Sequence, residues 1–483
     1  MARSGGALMR VGSMGRRWRG RSAIGLLMLA GMVGCDSPTK SEDPAILSIT
    51  VSSTVNPLAR LVTVTLAEPG RARLTWGATG TPVLTLLGDS LSAQHRFLVT
   101  RLRANTSYTL EAQLEGSTAA LVRIPLEVGA LPPNLAAATF TTTGTPTLPV
   151  AVIEIISATG LAGLLMVEDG QIVGHLPISS GSLFGAARRA NGQFVLLDPL
   201  HGLVVQTAGG EEVTRLPLPS ATLPTPYGRI HHDVIATPRN TLLFIANETQ
   251  RVGSDSVVGE ALWEWTPETN LVVKRWSSFT ELDWNTLKGS RSTTGNWLHG
   301  NGINIGPRGN VVMSLRNADH VISIAPDWSR IEWRLGGPTG TLTLPEADRF
   351  WGQHYVSEPT AGRVLVFDNG YDRPGAMFSR AIEYAVDPVA RTATKVWEYR
   401  PSPDIYAALV GSAWRLSNGN TVALFGMLAG QSASTGPISA HEVTPTGAVA
   451  WRLNAGGALT RLYRVTPMRT IAGEVPGTFR GAR

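Results

Sequence analysis

Short runs in which apolar and polar residues alternate fill residues 45–145. The runs are ILSITVSS, RLVTVTL, ARLTWG, HRFLVTRL, SYTLEAQL and AATFTTTG. Alternation with a period of two is typical of β-strands that bury one face. Several such strands in succession, separated by turn residues, predict a small β-sandwich over residues 45–145.

One part of this predicted sandwich has a specific resemblance. The segment from Leu102 to Leu110 is similar to the late loop and strand of fibronectin type III domains, in which a tyrosine packs a corner. Tyr108 occupies that place in the segment. The resemblance implies a fibronectin type III or immunoglobulin-like module, which we interpret as a spacer without chemistry of its own. Residues 144–149 are predicted to be the linker that follows it.

The pattern changes to imperfect repeats over residues 151–475. Each repeat combines a turn such as Asn-Gly, an apolar strand, and a last strand with a tryptophan, which is clearest in LWEWTP, IEWRLG, KVWEYR and VAWRLN. Repeats of about 40 residues with four short strands are typical of propeller blades. We therefore predict an all-β protein in which the sandwich precedes a six-bladed β-propeller, with seven blades as the alternative. The first repeat is short, and LTRLYRVTPM near the end of the chain is predicted to complete it.

Residues 1–35 have the pattern of a targeting segment. Its basic region has no acidic residue and contains Arg3, Arg10, Arg16, Arg17, Arg19 and Arg21. An apolar run from Ala23 to Val33 follows, which is short for a membrane span. The sequence Met32-Val33-Gly34-Cys35 resembles a bacterial lipobox. This implies lipidation at Cys35, a tether over residues 36–44, and a place in the cell envelope on the periplasmic side of a lipid membrane. A plain signal peptide is the alternative.

Removal of this segment changes the charge and the cysteine count. The formal net charge of +6 comes from 42 basic and 36 acidic residues. The six arginines of the targeting segment account for the whole excess, so the mature chain is predicted to be neutral and to have no nucleic-acid partner. Cys35 is the only cysteine, which excludes disulfides within the chain. The sequence does not indicate an oligomeric state.

Candidate chemistry comes from aligning three repeats on Leu242, Val311 and Val364. Ten positions upstream the aligned residues are His232, Asn301 and His354, and five positions downstream they are Asn247, Arg316 and Asn369. The first strand of a blade faces the channel, so these side chains are predicted to line one surface. His299 precedes Asn301 by two residues and is predicted to share its face.

Imidazoles that converge with a guanidinium suit a small tetrahedral oxyanion. Three histidines could also bind zinc, but a cation site would rarely include Arg316. We therefore predict no metal and no cofactor. Asp233 and Asp319 are interpreted as turn or rim residues.

The run from His231 to Trp451 resembles the bacterial arylsulfotransferase family, whose PAPS-independent members move a sulfuryl group from one phenol to another. The matching pieces come in order: HHD, WLHGN, SLRNADHVISI, EWRLG, GQH, LVFDNG, SRAIEY, VWEY, GSAWRLSNGNT and EVTPTGAVAW. The resemblance implies an aryl sulfate donor, a phenol acceptor, and a ping-pong mechanism through a sulfohistidine.

The resemblance also assigns roles to residues of this chain. It makes His354 the nucleophile, and it makes His299 and Arg316 the groups that hold the sulfuryl oxygens. His232 completes the catalytic set, with His231 and Asn301 as further substrate-binding residues. Two departures from the family pattern are HGNG after WL and Tyr355 in place of an acidic residue after GQH. The alternative is a non-catalytic, lipid-anchored propeller that binds an envelope, glycan or peptide partner and does not need His354.

Overall fold

The computed structural model describes residues 39–40, 45–117, 122–156, 160–179 and 181–479. The predicted signal peptide, the lipidation site Cys35 and most of the tether lie outside the described residues, and they stay predictions. Within the described ranges, no helix has both the length and the apolar character needed to cross a membrane.

The first part of the described chain consists of strands joined by turns. In chain order its elements are β1 (Thr39–Lys40), β2 (Ile46–Ser53), β3 (Arg60–Gly70), β4 (Ala72–Gly77), β5 (Leu84–Leu87), β6 (Ser92–Val99), β7 (Thr106–Leu114), β8 (Val122–Val128), α1 (Pro133–Ala136) and β9 (Ala138–Gly144). They build two antiparallel sheets, one in the order β1-β2-β3-β6 and one that contains β5-β4-β7-β8. The alternation in the sequence matches the burial, since every second residue of β8 is buried.

The two sheets share an apolar core. Val64 on β3 and Trp76 on β4 belong to the same buried cluster, and the indole Nε1 of Trp76 donates to the carbonyl oxygen of Thr100 at 3.1 Å. The hydroxyl of Tyr108 accepts a hydrogen bond from the backbone nitrogen of Arg103 at 2.9 Å. A tyrosine that closes a corner in this way is the feature on which the fibronectin type III resemblance rests, and the assignment to that family stays a prediction.

The next elements are strands of the predicted repeats. In chain order they are β10 (Val150–Ile155), β11 (Gly163–Glu168), β12 (Gln171–Pro177), β13 (Ala186–Arg188), β14 (Phe194–Asp198), β15 (Gly202–Gln206), β16 (Glu212–Leu216), β17 (Ile230–Ala236), β18 (Leu242–Val252), β19 (Asp255–Thr266), β20 (Leu271–Ser277), α2 (Ser278–Glu281), β21 (Gly300–Ile305), β22 (Val311–Leu315), β23 (His320–Ile324) and β24 (Ile331–Gly336).

The last strands continue the series to the end of the described chain. They are β25 (His354–Thr360), β26 (Arg363–Asp368), β27 (Arg380–Asp387), β28 (Thr392–Tyr399), β29 (Ser412–Arg415), β30 (Thr421–Phe425), β31 (Ile438–Val443), β32 (Val449–Gly457), β33 (Leu462–Met468) and β34 (Val475–Pro476). Short 3₁₀ turns occur at Arg316–Ala318, Glu346–Asp348 and Gln431–Ala433.

Strands β10 to β33 form a succession of antiparallel sheets. Their orders are β12-β11-β10-β33, β13-β14-β15-β16, β17-β18-β19-β20, β21-β22-β23-β24, β25-β26-β27-β28 and β29-β30-β31-β32-β9. The strands β13, β17, β21, β25, β29 and β33 contact one another in that order. We call them the inner strands. Because they lie side by side, residues at equivalent places in neighbouring sheets come together.

The two ends of the chain tie the sheets to one another. β33 pairs with β10, which confirms the prediction that LTRLYRVTPM completes the first repeat. β9, which the sequence places in the sandwich, pairs along its length with β32, and β34 pairs with β5. One apolar cluster contains residues of the N-terminal sheets and of the first and last repeat sheets. Apolar packing therefore joins the N-terminal strands to the repeats.

One strand assignment from the tryptophan pattern is wrong. LWEWTP lies in β19, the third strand of its sheet, whereas the equivalent tryptophans at Trp333, Trp397 and Trp451 lie in fourth strands. Trp276 on β20 occupies the fourth-strand place. The cause is the long β18–β19 hairpin, which pairs from Leu242 to Val252 and adds residues that the repeat period does not contain.

Candidate active site

Backbone irregularities in the inner strands position the histidines. β17, β21 and β25 each have a register shift near the first residue: between Ile230 and Val234, between Gly300 and Gly302, and between His354 and Val356. Left-handed backbone accompanies these bulges, with φ of 60° at His232, 53° at His299 and 55° at Tyr355. Bulges re-aim side chains, and such strained conformations cluster at functional sites.

The bulge in β21 also corrects the predicted placement of His299. Its period-two relation to Asn301 requires a regular strand, but β21 begins at Gly300 and is irregular from there to Gly302. His299 lies before the strand in left-handed backbone. It reaches the site because of this local conformation, and not through a face shared with Asn301.

The structure brings the histidine rings together. The ring centroids of His232 and His299 are 4.5 Å apart. The Tyr463 ring lies 6.4 Å from His232 and 6.5 Å from His354, and Phe184 lies 5.5 Å from His232. Tyr463 and Phe184 were not anticipated, because they come from the parts of the sequence where the repeat alignment has no histidine.

A hydrogen bond fixes the tautomer of His354. Its Nδ1 lies 2.8 Å from Oδ1 of Asn369, while Nδ2 of Asn369 donates to the carbonyl oxygens of Ala407 and Val410 at 2.7 Å each. The amide oxygen is therefore an acceptor, and Nδ1 of His354 carries the proton. Nε2 is then unprotonated, and no described residue forms a hydrogen bond with it. Burial, and next the charge of Arg316, hold the pKa of His354 well below its usual range.

The repeat alignment contained a signal for this partner. Asn369 is equivalent to Asn247 and Arg316 in the alignment. In the structure, Nδ2 of Asn247 lies 3.0 Å from Nε2 of His231, just as Asn369 contacts His354. In two of the three repeats, the residue five positions after the aligned strand residue therefore contacts a histidine ring of the preceding strand. Asn247 contacts His231, and Asn369 contacts His354.

His299 has the complementary arrangement. Its Nδ1 lies 3.0 Å from Nδ2 of Asn296. An amide nitrogen can only donate, so Nδ1 accepts and Nε2 carries the proton. Burial, and next the charge of Arg316, lower the pKa of His299 to about 4. His299 is therefore an uncharged hydrogen-bond donor at neutral pH.

The histidine pair of β17 is joined by a direct contact. The Nδ1 atoms of His231 and His232 are 2.9 Å apart, so only one of them carries a proton. Nε2 of His231 lies 2.9 Å from Oε2 of Glu260. This is a close contact and not an aligned hydrogen bond, since that oxygen has no hydrogen-bond partner among the described residues. Burial, and next His231, hold the pKa of His232 well below the usual range.

Arg316 is a buried cation, and part of its guanidinium has no hydrogen-bond partner among the described residues. It begins the 3₁₀ turn after β22 and is 9% exposed. Its Nη1 donates to Oδ1 of Asn317 at 3.3 Å, and the guanidinium lies 5.1 Å from the Tyr371 ring centroid. Nε has no partner among the described residues. No described carboxylate forms a salt bridge with Arg316, which leaves the guanidinium available to an anion.

Two other residues of the inner strands have structural contacts. Asn301 is fully buried, and its Nδ2 donates to the carbonyl oxygen of Gln353 at 2.9 Å. It holds the backbone before His354, and its predicted role in substrate binding stays a prediction. Asp233 is not a turn or rim residue. It is completely buried and ion-paired with Arg464, because the bulge in β17 turns it away from the histidines.

A cavity of about 320 Å³ opens beside the histidines. His231, His232 and His299 line one part of it, and apolar side chains that include Phe184 and Leu197 line another. His354 and Arg316 are not among the residues that line this cavity. The volume suits a small ligand, with an apolar body in the cavity and an anionic group directed toward the imidazoles and the guanidinium. Within the described ranges, no group of histidine, aspartate and glutamate side chains could hold a metal ion.

Similarity to solved structures is weak. A protein of unknown function from Bacteroides caccae is 14% identical, with 67% of this chain and 100% of that chain covered and a TM-score of 0.46. A streptogramin B lyase is 12% identical, with 84% and 100% covered and a TM-score of 0.34. Virginiamycin B lyase from Staphylococcus aureus is 9% identical, with 66% and 99% covered and a TM-score of 0.31. Likenesses at this level say nothing about what this chain does.

Family membership comes from the sequence of the repeats. No curated protein matches the chain. A family model described as arylsulfotransferase (ASST) matches residues 165–458, which is more than half of the 483 residues. The matched range contains the histidines, Arg316 and Asn369, and with these residues in one site the chain belongs to the arylsulfotransferase family.

Proposed function

We propose that this protein transfers a sulfuryl group from an aryl sulfate to a phenol through a covalent intermediate on His354. The hydrogen bond from Nδ1 of His354 to Oδ1 of Asn369, at 2.8 Å, supports the proposal most directly. It directs the proton to Nδ1 and leaves the lone pair of Nε2 free to attack. Burial keeps the imidazole neutral, and a neutral imidazole is an effective nucleophile.

In the first half-reaction, Nε2 of His354 attacks the sulfur atom of the donor. The N–S bond forms as the bond between sulfur and the aryl oxygen breaks, and the electron pair leaves with the phenolate. The imidazole ring becomes positively charged, with its proton on Nδ1, and the Asn369 carbonyl stabilises that charge. A phenolate is a good leaving group because the pKa of a phenol is about 10, which favours aryl over alkyl donors.

Two groups are placed to stabilise the sulfuryl oxygens. Arg316 has unused guanidinium donors, and His299 offers an N–H while remaining uncharged. Sulfuryl transfer resembles phosphoryl transfer, in which charge spreads over three equatorial oxygens. Fixed donors in a buried site therefore stabilise the transition state without reorganisation.

The second half-reaction transfers the group to the acceptor phenol. The phenol oxygen attacks sulfur, the N–S bond breaks, and the electron pair returns to Nε2 of His354. The phenol proton needs a base, and we assign it to Nε2 of His354, which regains its lone pair as the N–S bond breaks and then passes the proton to solvent. His299 and His232 are less suited, because Nδ1 of His299 faces the amide of Asn296 and Nδ1 of His232 faces Nδ1 of His231.

We also propose that the repeat sheets form the blades of a six-bladed propeller over residues 151–475, with the sandwich of residues 45–145 attached to it. The serial contacts among the inner strands and the pairing of β33 with β10 support a closed ring. In such a ring His232, His299 and His354 face one channel.

The test uses the purified full-length protein with 4-methylumbelliferyl sulfate and excess phenol. We expect release of the fluorescent phenol that depends on the acceptor and falls at least about 1,000-fold in His354→Ala. His201→Ala is the matched control, because this histidine has a side chain that is 45% exposed and lies on a turn. Without acceptor, the peptide that contains His354 should gain one SO₃ group by mass spectrometry.

Other results would contradict the proposal in different ways. Release that does not depend on the phenol would indicate a hydrolase. No release from a folded protein with several donors would indicate the non-catalytic binding propeller.

The proposed location is the cell envelope, with the protein held on the periplasmic side by a lipid on Cys35. The basic region, the short apolar run and the sequence Met32-Val33-Gly34-Cys35 support it. Cys35→Ser should move the protein from the membrane fraction to the soluble fraction while sulfuryl transfer by the released protein continues. Retention of Cys35→Ser in the membrane fraction would contradict the lipid anchor.

A further inference from the structure

A second cavity, of about 710 Å³, lies at the other end of the inner strands. On β17, His231 and His232 line the first cavity, and Asp233 to Thr237 line the second. On β21, His299 comes just before the strand at the first cavity, and Ile303 to Ile305 line the second. The two cavities are therefore separated along the direction of the strands. The proposed mechanism assigns no role to the residues of the second cavity.

The second cavity has charged groups that are already neutralised. Arg464 forms an ion pair with Asp233, and its Nη2 also donates to the carbonyl oxygen of Asn301 at 2.9 Å. Glu154 accepts the backbone N–H of Gly185 at 2.8 Å. Burial raises the pKa of Glu154 to about 7, so this carboxyl is partly uncharged at neutral pH. A charged ligand would find no complementary free charge beside these three residues.

Three hydrogen-bond donors of this cavity have no partner. They are the hydroxyl of Tyr355, Nε1 of Trp414 and Nε of Arg188, each of which is buried and without a partner among the described residues. Tyr355 itself is only 2% exposed, and its ring lies 4.9 Å from that of Trp414. Buried donors without partners are costly, so a site that retains several is suited to a ligand that supplies acceptors.

Most of the remaining wall is apolar. It includes Val152, Leu164, Phe194, Ile303 and Met468. A wall of this kind, with a few polar groups on one side, is the usual composition of a small-molecule site.

We propose that the second cavity binds a small, uncharged, mainly apolar molecule whose carbonyl oxygen accepts hydrogen bonds from Tyr355 and Trp414, as an aromatic ketone or ester would. A carbonyl oxygen suits the site because the unpartnered groups can all donate. An uncharged ligand suits it because Arg464 and Asp233 neutralise each other, and because Arg188, the lining cation without an ion pair among the described residues, is only partly buried, so that solvent screens its charge. This binding does not depend on sulfuryl transfer, so it can be tested even if the proposed function fails.

The test compares two probes on the full-length protein by equilibrium dialysis. The probes are 2-acetylnaphthalene and 2-ethylnaphthalene, which have similar shapes but differ in the carbonyl group. We expect saturable binding of the ketone that is about tenfold tighter than binding of the hydrocarbon, a preference that matches one or two neutral hydrogen bonds. Saturating aryl sulfate should not displace the ketone from the His354→Ala protein.

Variants locate the site. Tyr355→Phe keeps the ring and removes only the hydroxyl, and Trp414→Phe keeps an aromatic ring while it removes the indole N–H and part of the ring system. Together they should abolish the tenfold preference, and binding of 2-ethylnaphthalene to the double variant measures the effect of the smaller ring. Tyr227→Phe is the matched control: it removes a buried tyrosine hydroxyl that donates to the carbonyl oxygen of Pro217, outside this cavity, and it should leave the preference unchanged. Near-ultraviolet circular dichroism checks that each variant is folded.

Several outcomes would overturn the proposal. They are no saturable binding, equal binding of the two probes, an unchanged preference in the double variant, or displacement of the ketone by aryl sulfate. The first two would mean that the donors are hydrated and the cavity holds only water. The last two would place the ketone in the first cavity or elsewhere.

Discussion

The two ends of the inner strands differ in whether a deeply buried arginine has an ion-pair partner. At the histidine end, Arg316 has no ion-pair partner among the described residues and its Nε has no hydrogen bond there, and only Nδ1 of His354 has a hydrogen bond with a described residue. At the opposite end, Arg464 and Asp233 neutralise each other, and Asp233 also accepts the backbone N–H of Ile303 at 2.8 Å. The strands are the same, so the difference lies in which side chains have partners.

This difference shows that burial and a shifted pKa do not identify a reactive group by themselves. His320 is as buried as His354, and burial lowers its pKa to about 4. Its Nδ1 contacts the carbonyl oxygen of Ala318, and its Nε2 lies 3.1 Å from Oγ1 of Thr339. Both ring nitrogens are used, so His320 is structural. A ring with one nitrogen fixed and the other free is the one suited to chemistry.

The largest predicted effect is on stability at the paired end. Asp233→Asn removes the charge but keeps the shape, which leaves Arg464 buried without its counter-ion. Breaking one partner of a buried ion pair costs about 3–5 kcal/mol, and we expect a loss of this size in the free energy of unfolding, measured with urea. Adding Arg464→Met should recover part of the loss. A loss below about 1 kcal/mol in the single variant would show that the pair is not desolvated as the structure indicates.

The same type of change at the histidine end should affect activity instead. Arg316→Met removes donors that are unused in the free protein, so we expect a rate of sulfuryl transfer lower by about 100- to 1,000-fold and no loss in the free energy of unfolding. Single-turnover release of 4-methylumbelliferone measures the first quantity and urea unfolding the second. Arg316→Lys keeps the charge and loses the planar fork, and it should be intermediate. Destabilisation by Arg316→Met with normal transfer would reverse the contrast between the two ends.

Asn369 gives a smaller effect, and its pH dependence distinguishes positioning from a structural role. Asn369→Ala leaves the tautomer of His354 unfixed, and we expect transfer to fall about 100-fold with little change in KM. Asn369→Asp keeps an acceptor at Nδ1 and adds a negative charge, which raises the pKa of His354. The acidic limb of its pH–rate profile should therefore move to higher pH than in the unchanged protein. Equal losses in both variants with unshifted profiles would mean that Asn369 only holds the carbonyls of Ala407 and Val410.

The sequence predicted the repeat architecture better than it predicted the contacts. Strand positions followed from alternation, and the pairing of β33 with β10 followed from the short first repeat. His232 and His354 were found because they recur at one repeat position. The different roles that we propose for them depend on Asn369, which resembles an ordinary turn residue in the sequence.

The second feature that the sequence could not predict is the bulge. A period of two is the only guide to the direction of a side chain in a strand, and the register shifts break that period at His299 and Asp233. As a result, the pattern predicts the right place for His299 for the wrong reason, since the residue does not share a face with Asn301, and it predicts a rim position for an aspartate that is buried and ion-paired. Arg464, the partner of Asp233, is 231 residues away, a separation at which local patterns carry no information.

The last prediction is a pH dependence of stability that has opposite signs for His299 at one end and Glu154 at the other. Folding lowers the pKa of His299, and of the structural His320 and His441, to about 4. Each is neutral when folded and binds a proton more readily when unfolded. The free energy of unfolding should therefore fall as the pH drops from 6.5 toward 4, by about 1.4 kcal/mol per pH unit for each such histidine.

At the opposite end, burial raises the pKa of Glu154 from 4.5 to about 7. The folded state then binds more protons than the unfolded state, and Glu154 makes the protein less stable as the pH rises from 4.5 to 7. The two contributions oppose each other, so Glu154→Gln should steepen the acid loss of stability between pH 4.5 and 6.5, whereas His299→Gln should make it shallower. Urea unfolding at half-unit pH steps measures both slopes. If the two substitutions changed the slope in the same direction, folding would not change proton binding by His299 and by Glu154 in opposite directions. The predicted contrast between the two ends would then be wrong.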